Sequence, residues 1–178
     1  MSTPRSLKLF VAILAALYCF YYASTITDWH FIDNVDLLIH EAGHLLFLPF
    51  GQFMHVLMGS GFQILFPAVF VGYFVLQKDF YSASFCLMWV SFNIFTVSVY
   101  AGDAVRMQLP LLGGDNVEHD WHWILSQLHA LQYTDSIANG MFYTGLLVLS
   151  FAVVGVLYFS GTGEDASSLH LQGRKYYR

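Results

Sequence analysis

The stretch "NVDLLIHEAGHLLFLPFGQF", Asn34 to Phe53, places two histidines and a glutamate inside a sequence that is otherwise mostly apolar. Leucine, isoleucine, valine and phenylalanine make up most of its other residues, as in a helix that lies in a membrane. Ionisable side chains cost several kcal/mol each in such surroundings, and they are rare there unless they carry a function. The stretch therefore predicts a functional site within an apolar helix.

The composition of the whole chain predicts an integral membrane protein. Of its 178 residues, 57% are hydrophobic and only 11% are charged, whereas about 25% of the residues of a soluble domain are charged. A soluble protein of this size could not bury so much apolar surface, so we expect membrane lipid as its surroundings. The net charge of −5 disfavours nucleic acid as a partner.

Five apolar segments are candidates for membrane-spanning helices. They cover residues 7–26, 35–57, 62–76, 82–101 and 137–159. The sequence Gly-Ser-Gly at 59–61 is expected to turn the chain between the second and third segments. The sequence thus predicts an all-α fold, a polytopic membrane helix bundle of five to six helices with one amphipathic or partly embedded helix. Residues 1–159 would form a single transmembrane domain with the metal site, and residues 160–178 a flexible polar tail.

The charges at the two ends of the chain conflict with five crossings. Arg5 and Lys8 precede the first segment, which predicts a cytoplasmic N-terminus, in a bacterial inner (plasma) membrane. The tail "GRKYYR" is also basic, yet five crossings would put the two ends on opposite sides. Either a segment within 105–133 is a sixth embedded helix, or one segment is re-entrant.

The motif "HEAGH", residues 40–44, has the spacing of a zinc site. Residues four apart share one face of a helix, so His40 and His44 can bind one ion. Two imidazoles, a third protein ligand and a water form the open geometry of catalytic zinc, and Glu41 can accept the proton of that water. Alternatively, the histidines bond to backbone or loop groups. A di-iron site would need a second Glu-x-x-His, which the sequence lacks.

Three residues near the motif have expected supporting roles. Asp36, one turn before His40, would orient that imidazole through its other ring nitrogen or would simply be an acid at a helix start. Pro49 would bend the helix after the motif. His55, three turns beyond His44, would be a satisfied histidine at the membrane interface.

The third ligand is expected from the polar insert at residues 102–136. Gly113 and Gly114 break the chain there, and a helix is predicted from Asp115 to about Tyr133, with histidines on one side and apolar residues on the other. On this helix His119 is the first candidate for the third ligand, and Asp115 the second.

Two other residues of the insert are weighed with them. Asp120 would accept a hydrogen bond from the other ring nitrogen of a metal-binding imidazole. His122 could join as a fourth ligand, which would close the site and make it structural.

A polytopic chain with HExxH in a transmembrane helix and a later Gly/Asp element resembles the site-2 protease family of intramembrane zinc metallopeptidases. The resemblance implies that His40 and His44 bind zinc together with a distant aspartate, and that Glu41 is the general base. The family's second motif is of the Leu-Asp-Gly type in a membrane helix. Here the corresponding "LLGGD" has the order inverted and is followed by "EHDWH".

The function expected from these features is hydrolysis of a peptide bond at or within the bilayer, with Zn²⁺ as cofactor and a membrane protein or peptide as substrate. One alternative is a membrane zinc hydrolase that acts on a lipid or another amide. A second alternative is a non-catalytic membrane protein with a structural metal site. Glu41 distinguishes these, because a structural site needs no base beside its ligands.

Overall fold

The computed structural model describes residues 4–110 and 118–161, and the regular elements in these ranges are all helical. The all-α fold class is therefore confirmed for the described residues. Short 3₁₀ turns lie at Leu48–Phe50 and Leu131–Tyr133. The α-helices are α1 (Arg5–Ser24), α2 (Phe31–Phe47), α3 (Gln52–Leu76), α4 (Phe80–Gly102), α5 (Asp120–Gln127) and α6 (Thr134–Gly161).

Four of these helices, α1, α3, α4 and α6, are long and apolar enough to cross a membrane. In α4, 56% of the apolar window is buried, against 17–22% in the other three helices, so α4 is the central helix. It packs against α6 on one side and α3 on another. Its residues Met88, Phe92 and Phe95 form the main core with Leu149 and Val156 of α6.

The predicted second segment, residues 35–57, is not one helix. The α-helix ends at Phe47, a 3₁₀ turn with Pro49 follows, and Gly51 has φ +92° before α3 begins. Proline has no backbone N–H to continue the hydrogen bonds of the helix, and glycine adopts positive φ without steric cost. The chain therefore reverses at Pro49–Gly51, well before the Gly-Ser-Gly segment.

The Gly-Ser-Gly segment, 59–61, lies inside α3 and does not turn the chain. Its prediction as a turn was wrong because small residues here serve close packing between α2 and α3. A Cβ atom on Gly43 of α2 would lie only 2.0 Å from the carbonyl oxygen of Met58. Such small residues let two helix backbones approach closely, as is common in membranes.

The helix of the polar insert is shorter than predicted. It covers Asp120–Gln127, and the chain then turns at His129, which has φ 51°. Its predicted apolar side is present, because Trp121, Ile124 and Leu125 are buried. Asp115, the second candidate ligand, and the tail after residue 161 lie outside the described residues.

Candidate metal centre

Three potential ligand atoms converge where α2, α3 and α5 meet. His40 Nε2 lies 3.0 Å from His44 Nε2. The Oδ2 atom of Asp120 is 3.0 Å from His40 Nε2 and 3.2 Å from His44 Nε2. The cluster thus joins the two motif histidines to a carboxylate 80 residues away in the sequence.

Backbone contacts determine the tautomer of His44. Its Nδ1 atom is 2.8 Å from the carbonyl oxygen of His55. A carbonyl oxygen can only accept, so Nδ1 of His44 carries the hydrogen and donates it. The lone pair of the neutral ring is then on Nε2, which faces the cluster.

Gln63 fixes His40 in the same way. Nδ1 of His40 is 3.1 Å from Oε1 of Gln63, in the interior between α2 and α3. With Nδ1 as donor, the lone pair of the neutral His40 ring also lies on Nε2. The role of orienting His40, expected for Asp36, therefore belongs to Gln63.

Asp36 contacts α4 and not the motif histidine. Its Oδ1 atom accepts hydrogen bonds from Trp89 Nε1 at 2.7 Å and from Asn93 Nδ2 at 3.3 Å. The expectation that Asp36 orients His40 was thus wrong. One turn of α2 separates the two side chains, and α4, packed beside this turn, supplies donors to the carboxylate.

The chemistry of the cluster favours a bound cation. When both rings are neutral, the nitrogens of His40 and His44 and the carboxylate oxygen of Asp120 are all acceptors. Three acceptors at this distance repel one another unless a proton or a metal cation lies between them. Two imidazole nitrogens and a carboxylate oxygen are a donor set that zinc takes. Tetrahedral zinc with bonds of about 2.0–2.1 Å separates its ligand atoms by roughly 3.3 Å, close to the distances found here.

The third group of the cluster is ionised at neutral pH. Burial raises the pKa of Asp120, but hydrogen bonds from Nε2 of His40 or His44, which act when the ring is protonated, outweigh burial and lower this pKa to about 2. The backbone N–H of Asp120 donates to the hydroxyl of Tyr100 at 3.1 Å, which ties the start of α5 to α4. A carboxylate must be deprotonated to bind a metal, and Asp120 meets this condition.

Gly59 leaves the space for the cluster. A Cβ atom on this residue would lie 2.5 Å from His44 Nε2 and 2.7 Å from His40 Nε2. The next residue, Ser60, accepts a hydrogen bond from Trp121 Nε1 at 3.1 Å, which attaches α5 to α3. The Gly-Ser-Gly segment thus belongs to the site, and its signal in the sequence was the pair of glycines inside an apolar run.

His119, the first candidate for the third ligand, does not join the cluster. It precedes α5 as its N-cap, and its Nδ1 accepts from the backbone N–H of His122 at 3.3 Å. Its Nε2 lies 3.4 Å from Asp103 Oδ2, and burial lowers its pKa, so the ring is neutral and carries its hydrogen on Nε2. We therefore correct the candidate third ligand from His119 to Asp120.

The physical reason is the register of α5. Successive residues of a helix point about 100° apart, so Asp120 faces the motif histidines while His119 faces Asp103. His122 is also outside the cluster, because its Nδ1 donates to the carbonyl oxygen of Ala104 at 2.8 Å.

Glu41 is half-buried beside the cluster. It is close enough to His44 and to Tyr100 to act on both electrostatically. Within the described residues, its carboxylate makes no hydrogen bond or ion pair. It therefore remains available to a water or a substrate near the cluster.

Comparisons with protein-family models, characterised proteins and solved structures find no match to this chain. What the chain can do is therefore argued from its own residues.

Proposed function

We propose that this chain is a membrane-embedded zinc metallopeptidase. In this proposal His40, His44 and Asp120 hold Zn²⁺, and Glu41 is the general base. The substrate is a peptide bond of a membrane protein or peptide at or within the bilayer. The three acceptor atoms within 3.2 Å of one another are the observation that carries the proposal.

The shell behind these atoms supports a metal site. Metal-binding histidines almost always donate their other ring N–H to a carbonyl or carboxylate oxygen, which fixes ring orientation and tautomer. His44 has such a partner in the His55 carbonyl, and His40 has one in the Gln63 amide. A structural pair of histidines bonded only to backbone would not need a carboxylate against both Nε2 atoms.

Glu41 supports a catalytic rather than a structural site. Three protein ligands leave a fourth position of a tetrahedral ion open, as in hydrolytic zinc sites, and bound zinc supplies a water that is acidic near pH 7. With such a metal bound, Glu41 would serve as the group that takes up a proton from water and returns it to the leaving amine. Tyr100, whose hydroxyl already accepts from Asp120, holds the third ligand against α4.

The membrane setting is supported by the four long apolar helices and by their exposed faces. Large apolar side chains such as Leu17, Phe20, Val69 and Phe151 are more than 60% exposed. In water such a surface would drive aggregation. In a bilayer it is the surface that contacts lipid.

The proposal is tested with the full chain purified in detergent. Wild type should carry about one zinc per chain, as three protein ligands imply, and should cleave an unfolded reporter polypeptide such as fluorescent casein. His44→Ala should lose the zinc and the activity. Glu41→Gln should keep the zinc but lose the cleavage, because an amide cannot accept the proton. His129→Asn changes an exposed histidine away from the cluster and serves as control.

Three results would contradict the proposal. Full zinc occupancy in His44→Ala would place the metal elsewhere. If wild type and Glu41→Gln bind equal amounts of zinc and neither cleaves the reporter, the site is structural. Glu41-dependent hydrolysis of lipid esters or small amides, but not of polypeptides, would make the chain a non-peptidase hydrolase.

A further inference from the structure

We propose that the metal centre opens toward the non-cytoplasmic side of the membrane and acts on polypeptide segments exposed there. The substrate part of this inference rests on the proposed function. The orientation part rests on the fold and on the distribution of charge, and it stands without any assumption about zinc.

One end of the bundle, here called the basic end, gathers the start of α1, the start of α4 and the end of α6. The Tyr81 hydroxyl donates to the carbonyl oxygen of Lys8 at 2.9 Å. The rings of Phe80 and Phe159 stack with centroids 5.2 Å apart. A Cβ atom on Gly161 would lie 3.5 Å from the guanidinium of Arg5. The start of α1 and the end of α6 therefore lie at the same end.

The opposite end, here called the metal end, joins the end of α4 to the start of α6. A Cβ atom on Gly102 would lie 3.3 Å from Cβ of Ala138, and Arg106 pairs with Asp135 at 3.8 Å. The cluster is at this end, because Asp120 bonds to Tyr100. From Phe80 to Tyr100, α4 extends about 30 Å at 1.5 Å per residue, which is about the thickness of the hydrocarbon core.

The positive charges concentrate at the basic end. The chain has seven lysines and arginines, and one of them, Arg106, is at the metal end. Three belong to the basic end, namely Arg5, Lys8 and Lys78. Three more follow α6 in the sequence, within 17 residues of its end, namely Arg174, Lys175 and Arg178. Short basic segments next to membrane helices stay on the cytoplasmic side, so the metal end faces the other side.

Four crossings remove the conflict that five crossings created. An even number of spans returns the chain to its starting side, so the start of α1 and the end of α6 both face the cytoplasm. The seventeen-residue helix α2 is then the re-entrant element, because it lies between the end of α1 and the start of α3. The start of α3 belongs to the metal end, since Phe53 contacts Trp123 of α5 with ring centroids 6.2 Å apart. The end of α1 faces the same half of α4, since the Tyr22 hydroxyl lies 3.0 Å from Thr96 Oγ1.

This orientation defines the substrate by its position. Water and polypeptide reach the cluster from the non-cytoplasmic face without crossing the hydrocarbon core. Asp28, Glu118 and Asp135 are exposed at this end, and Arg106, which pairs with Asp135, is the one lysine or arginine described there. The described surface at this end is therefore acidic and favours substrate segments without negative charge. The expected bond is in a non-cytoplasmic segment close to the membrane surface.

The orientation is tested with two matched cysteine variants of the full chain, Gln77→Cys and Gln127→Cys. Both glutamines are exposed; Gln77 follows α3 at the basic end, and Gln127 ends α5 at the metal end. Bacterial spheroplasts that express each variant receive a membrane-impermeant maleimide, before or after permeabilisation. The unsubstituted chain gives the background of Cys19 and Cys86, which lie within α1 and α4.

We expect Gln127→Cys to label in intact spheroplasts as fully as after permeabilisation, and Gln77→Cys to label only after it. Labelling of Gln77→Cys in intact spheroplasts, alone or together with Gln127→Cys, would overturn the inference. So would a Gln127→Cys variant that labels only after permeabilisation. The labelling involves neither zinc nor hydrolysis, so its failure is distinct from failure of the proposed peptidase activity.

Discussion

His44 and His55 exchange two hydrogen bonds, in each of which the ring Nδ1 of one residue lies 2.8 Å from the backbone carbonyl oxygen of the other. This reciprocal pair joins α2 to α3 across the reversal of the chain, which the 3₁₀ turn at Leu48–Phe50 and Gly51 produce. It also fixes the ring that faces the cluster. His55, expected to be only an interfacial histidine, is therefore a positioning residue for His44.

Substitution of His55 should weaken metal binding without removing a ligand. In His55→Ala the side-chain donor to the His44 carbonyl is lost, while the His55 carbonyl remains. Direct loss of the partner of a metal-binding histidine typically costs about 10–100-fold in metal affinity. The carbonyl partner of the His44 ring stays in place here, so we expect a loss of about 10-fold or less. Competition with a zinc-sensitive dye measures this change, with His129→Asn as control. An unchanged zinc affinity in His55→Ala would show that the pair is not needed to orient His44.

Gly59 should tolerate no side chain. Gly59→Ala would place a methyl group 2.5 Å from His44 Nε2, so we expect zinc to be lost. Gly72→Ala in the same helix α3 is the matched control, because a Cβ atom there meets nothing within 4 Å. That control should keep zinc, and alanine in place of glycine in a helix should stabilise it by roughly 0.5–1 kcal/mol. Equal zinc content in both variants would contradict the packing described for α3.

The identity of the third ligand is tested by adjacent residues. Asp120→Asn removes the negative charge at the cluster and should abolish stable zinc binding. His119→Asn keeps a side chain that can cap α5 and should bind zinc almost as the wild type does. Metal analysis after mild chelation compares the two. Zinc loss in His119→Asn together with retention in Asp120→Asn would restore the original choice of His119.

The motif pair was predictable from the sequence because it depends on one helix alone. His40 and His44 are four residues apart, and helix geometry places them on one face whatever the tertiary structure is. The choice between His119 and Asp120 depends on the residue at which α5 begins. A shift of one residue changes the direction of a side chain by about 100°, and tertiary contacts such as the one from Tyr100 set this start.

The boundary between α2 and α3 could have been predicted from the sequence. Pro49 and Gly51 are the ordinary signals of a helix end, but the continuous apolar run and the glycines at 59 and 61 favour a later turn. The role of Gln63 could not be predicted from the sequence, since a single amide in an apolar helix gives no indication of its partner. Its contact with His40 follows from the packing of the hairpin, which no local pattern specifies.

Asp36 and Asn93 give the last prediction, because both are fully buried and each has one oxygen without a partner among the residues that the structure describes. These atoms are Oδ2 of Asp36 and Oδ1 of Asn93, whereas Oδ1 of Asp36 accepts from Trp89 and Asn93. The Asn93 amide cannot be turned over, because its Nδ2 also donates to the carbonyl oxygen of Trp89. A neutral carboxylic acid at Asp36 would supply a donor from Oδ2, which an ionised carboxylate lacks.

We therefore expect Asp36→Asn to unfold at nearly the same temperature as the wild type, because an amide has the shape of the neutral acid and also offers a donor. Asp36→Ala should be destabilised by about 1–3 kcal/mol, since it leaves the half-buried Trp89 N–H without its acceptor. Thermal unfolding in detergent, followed by tryptophan fluorescence, measures both variants, and zinc content shows that the cluster is intact. If Asp36→Asn loses as much stability as Asp36→Ala, the negative charge itself is what the fold requires at this position.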